Sequence, residues 1–282
     1  MSTSKLYTDI MQILIITLCV VSLTLAMSSL LYADEQNKDV RTDLGLVEHE
    51  EIREASGIVA SRKNSGVLWT HNDSDNPNCL YALDNKGRHL CTYYITGITN
   101  RDWEDIALGP GPRDYQDYLY VGDIGDNFSQ YQLKHIYRFP EPIINLDQTP
   151  FGRGKTITNV EKISFQYSDG RHDAETLLVD PLTKELYVIS KWGNSVNVYL
   201  VPYPQSVTDV MTLECVTRLN IGLVVGGDVS HCGSRILVKT YSDIYYFARN
   251  PNLPLWKAFD LDHYVTCLLY TSDAADERSS VD

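Results

Sequence analysis

The 282-residue chain is 43% hydrophobic and 22% charged, an ordinary globular composition with length for one large or two small domains, which excludes wholesale disorder and a fibrous repeat. Asp and Glu outnumber Lys and Arg 37 to 24, a formal charge of −13; that sign repels phosphate backbones and no basic patch offsets it, so nucleic acid is not an expected partner. With 19 Tyr against 6 Phe, 17 Gly and 11 Pro, the chain favours short strands joined by turns over a helical bundle.

In chain order, the first feature is a leader. Lys5 precedes a stretch from Ile13 to Leu25 that is apolar apart from two Thr, one Cys and one Ser, the order of a secretory signal, and Leu31-Tyr32-Ala33 offers a small-residue cleavage site. Met11 to Tyr32 is also free of charge and long enough to span a bilayer at ~20 residues per crossing. Residues 1–33 are therefore read as a signal peptide or a single-pass signal anchor. Both place the globular part outside the cytosol, secreted or membrane-tethered. Residues 34–53 are read as a linker or closing strand.

From Glu54 onward one template recurs four times. The first copy runs through Ser56-Gly57-Ile58-Val59, Val67 to Asp73, Cys79 to Asp84 and Arg88 to Ile95. The second has Glu104-Asp105-Ile106-Ala107, Tyr118 to Asp123, His135 to Arg138 and Ile163 to Tyr167. The third has Glu175-Thr176-Leu177-Leu178, Leu186 to Ser190, Val196 to Val201 and Leu213 to Leu219. The fourth has Gly227-Asp228-Val229-Ser230, Ile236 to Thr240, Ile244 to Ala248 and Leu255 to Leu261. Four strands per unit at a period of ~40 to 50 residues predict an all-β fold, a β-propeller with four-stranded blades over residues 54–266. An immunoglobulin-type sandwich would alternate strands without repeating this order of turns. About four blades are expected from a ring of six, so that ~80 to 100 residues lie beyond this sequence at ~40 to 50 per blade.

The last segment, Cys267 to Glu277, resembles an in-frame translation of a sequencing adapter, and residues 267–282 are read as a non-native tail. Four Cys then remain: Cys79, Cys91, Cys215 and Cys232. The first two flank the turn Asp84-Asn85-Lys86-Gly87 and are candidates for a disulfide across a hairpin. Cys215 and Cys232 read as buried thiols, and no spacing suggests zinc.

In a propeller the first strand of each blade starts on the face where the second strand ends. Aligning Ile58, Ile106, Leu177 and Val229 puts Glu54, Asp102 and Asp173 in one column and Glu104 and Glu175 in a second. Asn72, Asp123, Ser190 and Thr240 form a third, with Asp73, Asp75, Asp126 and Asn127 just beyond. Carboxylates crowded onto one mouth repel unless a cation or protons intervene, and hard oxygen ligands from Gly-bearing loops suit Ca²⁺ or Mg²⁺. The expected ligand set is Asp102, Glu104, Asp105, Asp123, Asp126, Asn127, Asp173 and Glu175, with Ca²⁺ the expected ion. His71, Glu104 and Glu175 are the candidate catalytic groups if the cation serves hydrolysis. The same residues also read as turn chemistry, because Asp and Asn favour tight turns. Lys191 and Arg171 offer positive charge for an anionic group. Asn72-Asp-Ser74 and Asn127-Phe-Ser129 are glycosylation sequons.

Leu68-Trp69-Thr70-His71-Asn72-Asp73-Ser74, Asp102-Trp103-Glu104-Asp105-Ile106-Ala107, Gly122-Asp123-Ile124-Gly125-Asp126-Asn127 and Tyr167-Ser168-Asp169-Gly170 with Asp173-Ala174-Glu175 together resemble a group of secreted β-propeller proteins. That group is distantly similar to phytase-like, esterase-like and strictosidine-synthase-like propellers. The resemblance implies a cation at the channel mouth and an extracellular compartment; the group has no settled activity to carry over. The expected function is an extracellular or membrane-tethered propeller whose acidic mouth binds a divalent cation, as a metal-assisted phosphoester or ester hydrolase acting on a small polar or anionic ligand. The alternative is a non-catalytic module for a protein or glycan partner. Membrane contact is expected only through the N-terminal segment.

Overall fold

The computed structural model describes residues 44–47, 49–144, 154–261 and 263–267. The leader, with its signal or anchor reading, and all of the tail after Cys267 lie outside the described residues. No helix among the described residues is long and apolar enough to cross a membrane.

Four small sheets form four propeller blades. Blade 1 is β1 (Ala55–Ala60), β2 (Val67–Asn72), β3 (Cys79–Asp84) and β4 (His89–Ile95). Blade 2 is β5 (Trp103–Pro110), β6 (Asp117–Asp123), β7 (Lys134–Pro140) and, after the short β8 (Lys155–Ile157), β9 (Glu161–Tyr167). Blade 3 is β10 (Ala174–Val179), β11 (Leu186–Ser190), β12 (Val196–Val201) and, after β13 (Val210–Leu213), β14 (Cys215–Leu219). Blade 4 is β15 (Val224–Val229), β16 (Arg235–Thr240), β17 (Asp243–Ala248) and β18 (Tyr264–Cys267). Within a blade neighbours are antiparallel, as hairpin-linked strands must be.

Three apolar cores lie between successive blades. Trp69, Leu80 and Val59 pack with Trp103, Ile106 and Leu119 between blades 1 and 2. Tyr120, Ile136 and Phe165 pack with Leu177, Val188 and Tyr199 between blades 2 and 3. Leu178, Ile189 and Val198 pack with Val229, Ile236 and Val238 between blades 3 and 4. Blade strands read as almost continuous apolar runs because both faces are covered: every residue of β10 and β11 is buried.

Two strands depart from the sequence reading. β8, on the way from β7 to β9, leaves its own blade and pairs parallel with β4 of blade 1. β13, on the way from β12 to β14, does the same to β9 of blade 2. Blades 2 and 3 thus each latch the outer edge of the blade before them and cover an otherwise open row of backbone groups. The run from Leu213 to Leu219 is consequently two strands in two sheets, not one. Leu255–Asp260, expected as the fourth strand of blade 4, is a 3₁₀ helix after Pro254. Its buried residues, Leu255, Ala258 and Phe259, are spaced three and four apart, which is a helical period. The fourth strand follows it at Tyr264–Cys267, so Cys267 belongs to the sheet, opposite Asp243.

The thiol expectations are corrected as well. Cys79 stands opposite Tyr94, and Cys91 opposite Ala82, three rungs away. At about 3.4 Å per residue that separates them by about 10 Å, beyond disulfide reach, and no disulfide joins them. Cys232 is exposed and Cys215 half-buried, not buried.

Candidate functional site

Every inner strand carries the same irregularity. The register slips between Ala55 and Ile58, Trp103 and Asp105, Ala174 and Thr176, and Val224 and Gly226. A bulge of this kind re-aims one side chain out of the ladder. The residue after the first of each pair is Ser56, Glu104, Glu175 and Val225, so two bulges deliver a glutamate to the mouth. The partners across the strands are Asn72, Asp123, Ser190 and Thr240, the expected column. The bulges also correct the alignment of blade 4: Gly227, not Val229, is the counterpart of Ile58, Ile106 and Leu177.

The structure brings five carboxylates together. Ligand oxygens of Asp73, Asp102 and Glu104 lie within 4.8 Å of one another, and so do those of Glu104, Asp173 and Glu175. Glu104 is common to both groups. Asp102, Glu104, Asp173 and Glu175 are 3–9% exposed. Gly125 forms one wall, where a Cβ would collide with Glu104 Oε1 and the Asp102 carboxylate. Ser56 Oγ donates to Glu104 Oε2 at 3.2 Å. On the far side, Asp173 accepts the backbone N–H of Asp126 at 2.7 Å and the indole N–H of Trp192 at 2.7 Å. Lys191 Nζ pairs with Glu175 Oε1 at 2.5 Å.

Burial and mutual repulsion leave Asp102, Glu104 and Glu175 reluctant to ionise. Burial, then the charges of Asp73, Asp173 and Asp123, lift Asp102 to about 7. Burial, then Glu175, Asp73, Asp102 and Asp173, hold Glu104 well above the usual carboxylate range. Glu175 rises to about 7 through burial, even though Lys191 opposes the rise. Burial works against the Lys191 charge, but Glu175 more than offsets it and the ammonium is held firmly protonated.

The other expected site residues stand apart. Asp105 is fully engaged by backbone, accepting from Ile106 N and from Leu177 N in the next inner strand, each at 2.9 Å. Asp123 accepts from Asp102 N at 3.0 Å and lies 3.5 Å from Arg101 Nε. Asp126 pairs with the buried Lys134 at 2.9 Å and accepts from Gln130 N and Tyr131 N. Asn127 is exposed. His71 is sealed edge-on against Trp103, with Nδ1 2.9 Å from the Asn72 carbonyl. Burial lowers it to about 4, so the ring is neutral at pH 7. Arg171 is exposed and bonds Gln132 and the Ser129 carbonyl.

Asp73 is the member that the expected ligand set lacked, although its place just past the end of β2 marked it. Asn100 Nδ2 pins its carbonyl at 2.6 Å, and its N–H donates to the Glu54 carbonyl at 2.9 Å. The two sequons differ sharply. Asn72 is buried, its amide donating to the Glu51 carbonyl at 2.6 Å while its oxygen accepts from Arg53 N and Glu54 N, whereas Asn127 is open to solvent.

No protein-family model matches the sequence, and no curated protein does. Among solved structures the chain is similar to a functionally unknown protein from Desulfotomaculum acetoxidans DSM 771, at 15% identity and a TM-score of 0.37 over 76% of this chain and 55% of that one. It is also similar to an auxiliary nutrient binding protein from Bacteroides thetaiotaomicron VPI-5482, at 10% identity and a TM-score of 0.44 over 76% and 42%. A third is Kuenenia stuttgartiensis hydrazine synthase, at 11% identity and a TM-score of 0.36 over 76% and 53%. The chain thus spans about half the length of these structures, and likenesses this distant carry no argument about activity.

Proposed function

We propose that the protein is a cation-dependent propeller whose mouth holds one divalent ion, Ca²⁺ in the first place, at Asp73, Asp102 and Glu104. The observation that carries this reading is the packing of carboxylate oxygens within 4.8 Å of one another. Oxygens that share one Ca²⁺ at 2.3–2.6 Å stand at most roughly 5.2 Å apart, and those that share one Mg²⁺ at most about 4.2 Å, so oxygens this close can converge on a single divalent ion. Oxygen-only donors also argue against zinc, which takes Cys and His. Lys191 neutralises Glu175, and Trp192 with Asp126 N donates to Asp173. The motif resemblance to propellers with a cation at the channel mouth points the same way.

Three carboxylates leave several of the six to eight Ca²⁺ positions for oxygens of a ligand. A hydrolytic use would have the cation polarise an ester or phosphoester, with Glu104 or Glu175 rather than the sealed His71 as base. An extracellular setting, expected from the leader, suits an affinity in the 10⁻⁴–10⁻³ M range of extracellular Ca²⁺ modules.

Thermal unfolding with added Ca²⁺ tests the reading. At ten to a hundred times the dissociation constant, binding stabilises by about 1.4–2.7 kcal/mol, a rise of roughly 3–10 °C for a domain of this size. An unchanged midpoint at about 100 mM Ca²⁺, a hundredfold above the weak end of that affinity range, removes the cation from the account.

A further inference from the structure

The mouth is acidic on one side only. Counting from the four bulges, the blade 4 residues that correspond to Asp102 and Asp173, and to Glu104 and Glu175, are Leu223 and Val225. The acidic columns turn apolar there. The loops after β11 and β16 add Trp192 and Tyr241, and Trp192, Leu223 and Tyr241 are 54%, 40% and 37% exposed.

These side chains are held on fixed backbone. Lys191 N donates to the Asp173 carbonyl at 3.1 Å, and Leu223 N donates to the Lys191 carbonyl at 2.9 Å. Gly222 lies so close to Gly193 that a Cβ on it would strike the Gly193 carbonyl. Leu223 sits at φ 57°, a left-handed conformation that a leucine keeps only where its surroundings impose it. The indole N–H of Trp192 is satisfied by Asp173, and Lys191 Nζ lies 5.1 Å from the Trp192 ring and 5.6 Å from that of Tyr241. Asp173 therefore ties the aromatic half to the carboxylate cluster.

Large apolar side chains fixed in solvent beside buried carboxylates form a surface with two chemistries. We propose that this mouth binds a neutral saccharide, an inference that rests on the cation reading above. The C–H face of a pyranose stacks on Trp192, flanked by Leu223 and Tyr241. Its adjacent hydroxyls fill the Ca²⁺ positions left by Asp73, Asp102 and Glu104. A purely apolar solute leaves the ion's shell incomplete. A phosphate meets Asp173 and Glu175 with Lys191 already engaged, and the ammonium place beside both rings is taken by Lys191 itself.

The test is saturation-transfer NMR with methyl glucoside, methyl galactoside and methyl mannoside, run on the full chain in millimolar Ca²⁺ and again in EDTA, with inorganic phosphate as a separate arm. At least one glycoside binds saturably in Ca²⁺, and EDTA weakens it at least about tenfold. Trp192→Ala weakens it by about tenfold, whereas Trp192→Phe, which keeps the stacking face, recovers most of the affinity. A Ca²⁺ titration of each variant is read in parallel. Calcium binding without glycoside binding, phosphate binding in place of glycoside, or glycoside binding indifferent to Trp192→Ala overturns the saccharide assignment and leaves the cation reading standing. Absence of Ca²⁺ binding in the unsubstituted protein overturns both.

Discussion

If the mouth holds Ca²⁺ as proposed, the ion has to compete with protons for the buried Asp102 and Glu104. Asp102 titrates at about 7 because burial and the neighbouring Asp73, Asp173 and Asp123 penalise its charge. An ion that needs the charged form releases the proton. A ligand with this value weakens binding about 50-fold when the pH falls from 7 to 5, whereas a carboxyl at its ordinary value changes binding hardly at all over that range. Glu104, held high by burial and by Glu175, steepens the dependence. At pH 7 a half-protonated Asp102 gives up about half a proton, and Glu104 adds up to about one more. Calorimetry in two buffers of different ionisation enthalpy measures both quantities. The metal-free protein shows the matching stability profile. The folded value of Asp102 lies above its ordinary one, so its favourable contribution is full below about pH 4 and is lost as pH rises through about 7. Ca²⁺ restores stability on the alkaline side. Binding that changes less than about fivefold between pH 5 and 7, with no proton released, would refute the reasoning.

Three further outcomes follow from particular contacts. Gly125→Ala places a methyl against Glu104 and Asp102, so it costs about 1–3 kcal/mol and weakens Ca²⁺ binding; wild-type melting and affinity together would show that the wall is not there. Arg249 forms two hydrogen bonds at 2.7 and 2.8 Å with Asp180, and both side chains are 0–1% exposed. Arg249→Met leaves that buried carboxylate without its cation, with Leu182 N and Thr183 Oγ1 still donating to it, and lowers stability by about 3–5 kcal/mol, with a melting temperature lower by roughly 6–20 °C; a loss under about 1 kcal/mol denies the pair its burial. Expressed through a glycosylating secretory pathway, the chain carries glycan at Asn127 and none at Asn72, whose amide is fully engaged. Peptide mass spectrometry decides this, and glycan on Asn72 would mean that the Glu51–Glu54 segment does not cover it.

The blade plan was legible because each blade repeats one order of turn and apolar run, and both faces of its strands are buried. What escaped was non-local. Nothing in Lys155–Ile157 or Val210–Leu213 announces parallel pairing with the preceding blade, since edge pairing leaves no periodic signature in three or four residues. Leu255–Asp260 misled because a short apolar stretch reads alike as strand and helix until its three-and-four spacing is given weight. The columns through Glu104, Glu175, Asp102 and Asp173 were correctly aligned. Residue type alone, however, could not separate carboxylates that meet from those, such as Asp105 and Asp126, that a backbone N–H or a buried lysine already serves. Blade 4 slipped by two residues because Gly227 gives no aliphatic side chain to align, which hid the apolar half of the mouth.

Glu104 belongs to both carboxylate groups, so its replacement tests the account most directly. In a Ca²⁺ titration by calorimetry at pH 8, the unsubstituted protein should take up one ion saturably, and Glu104→Gln should bind it at least about 30-fold more weakly, a loss of about 2 kcal/mol. Equal binding by the two proteins, or no uptake by either, would contradict a cation centre at the mouth of this propeller.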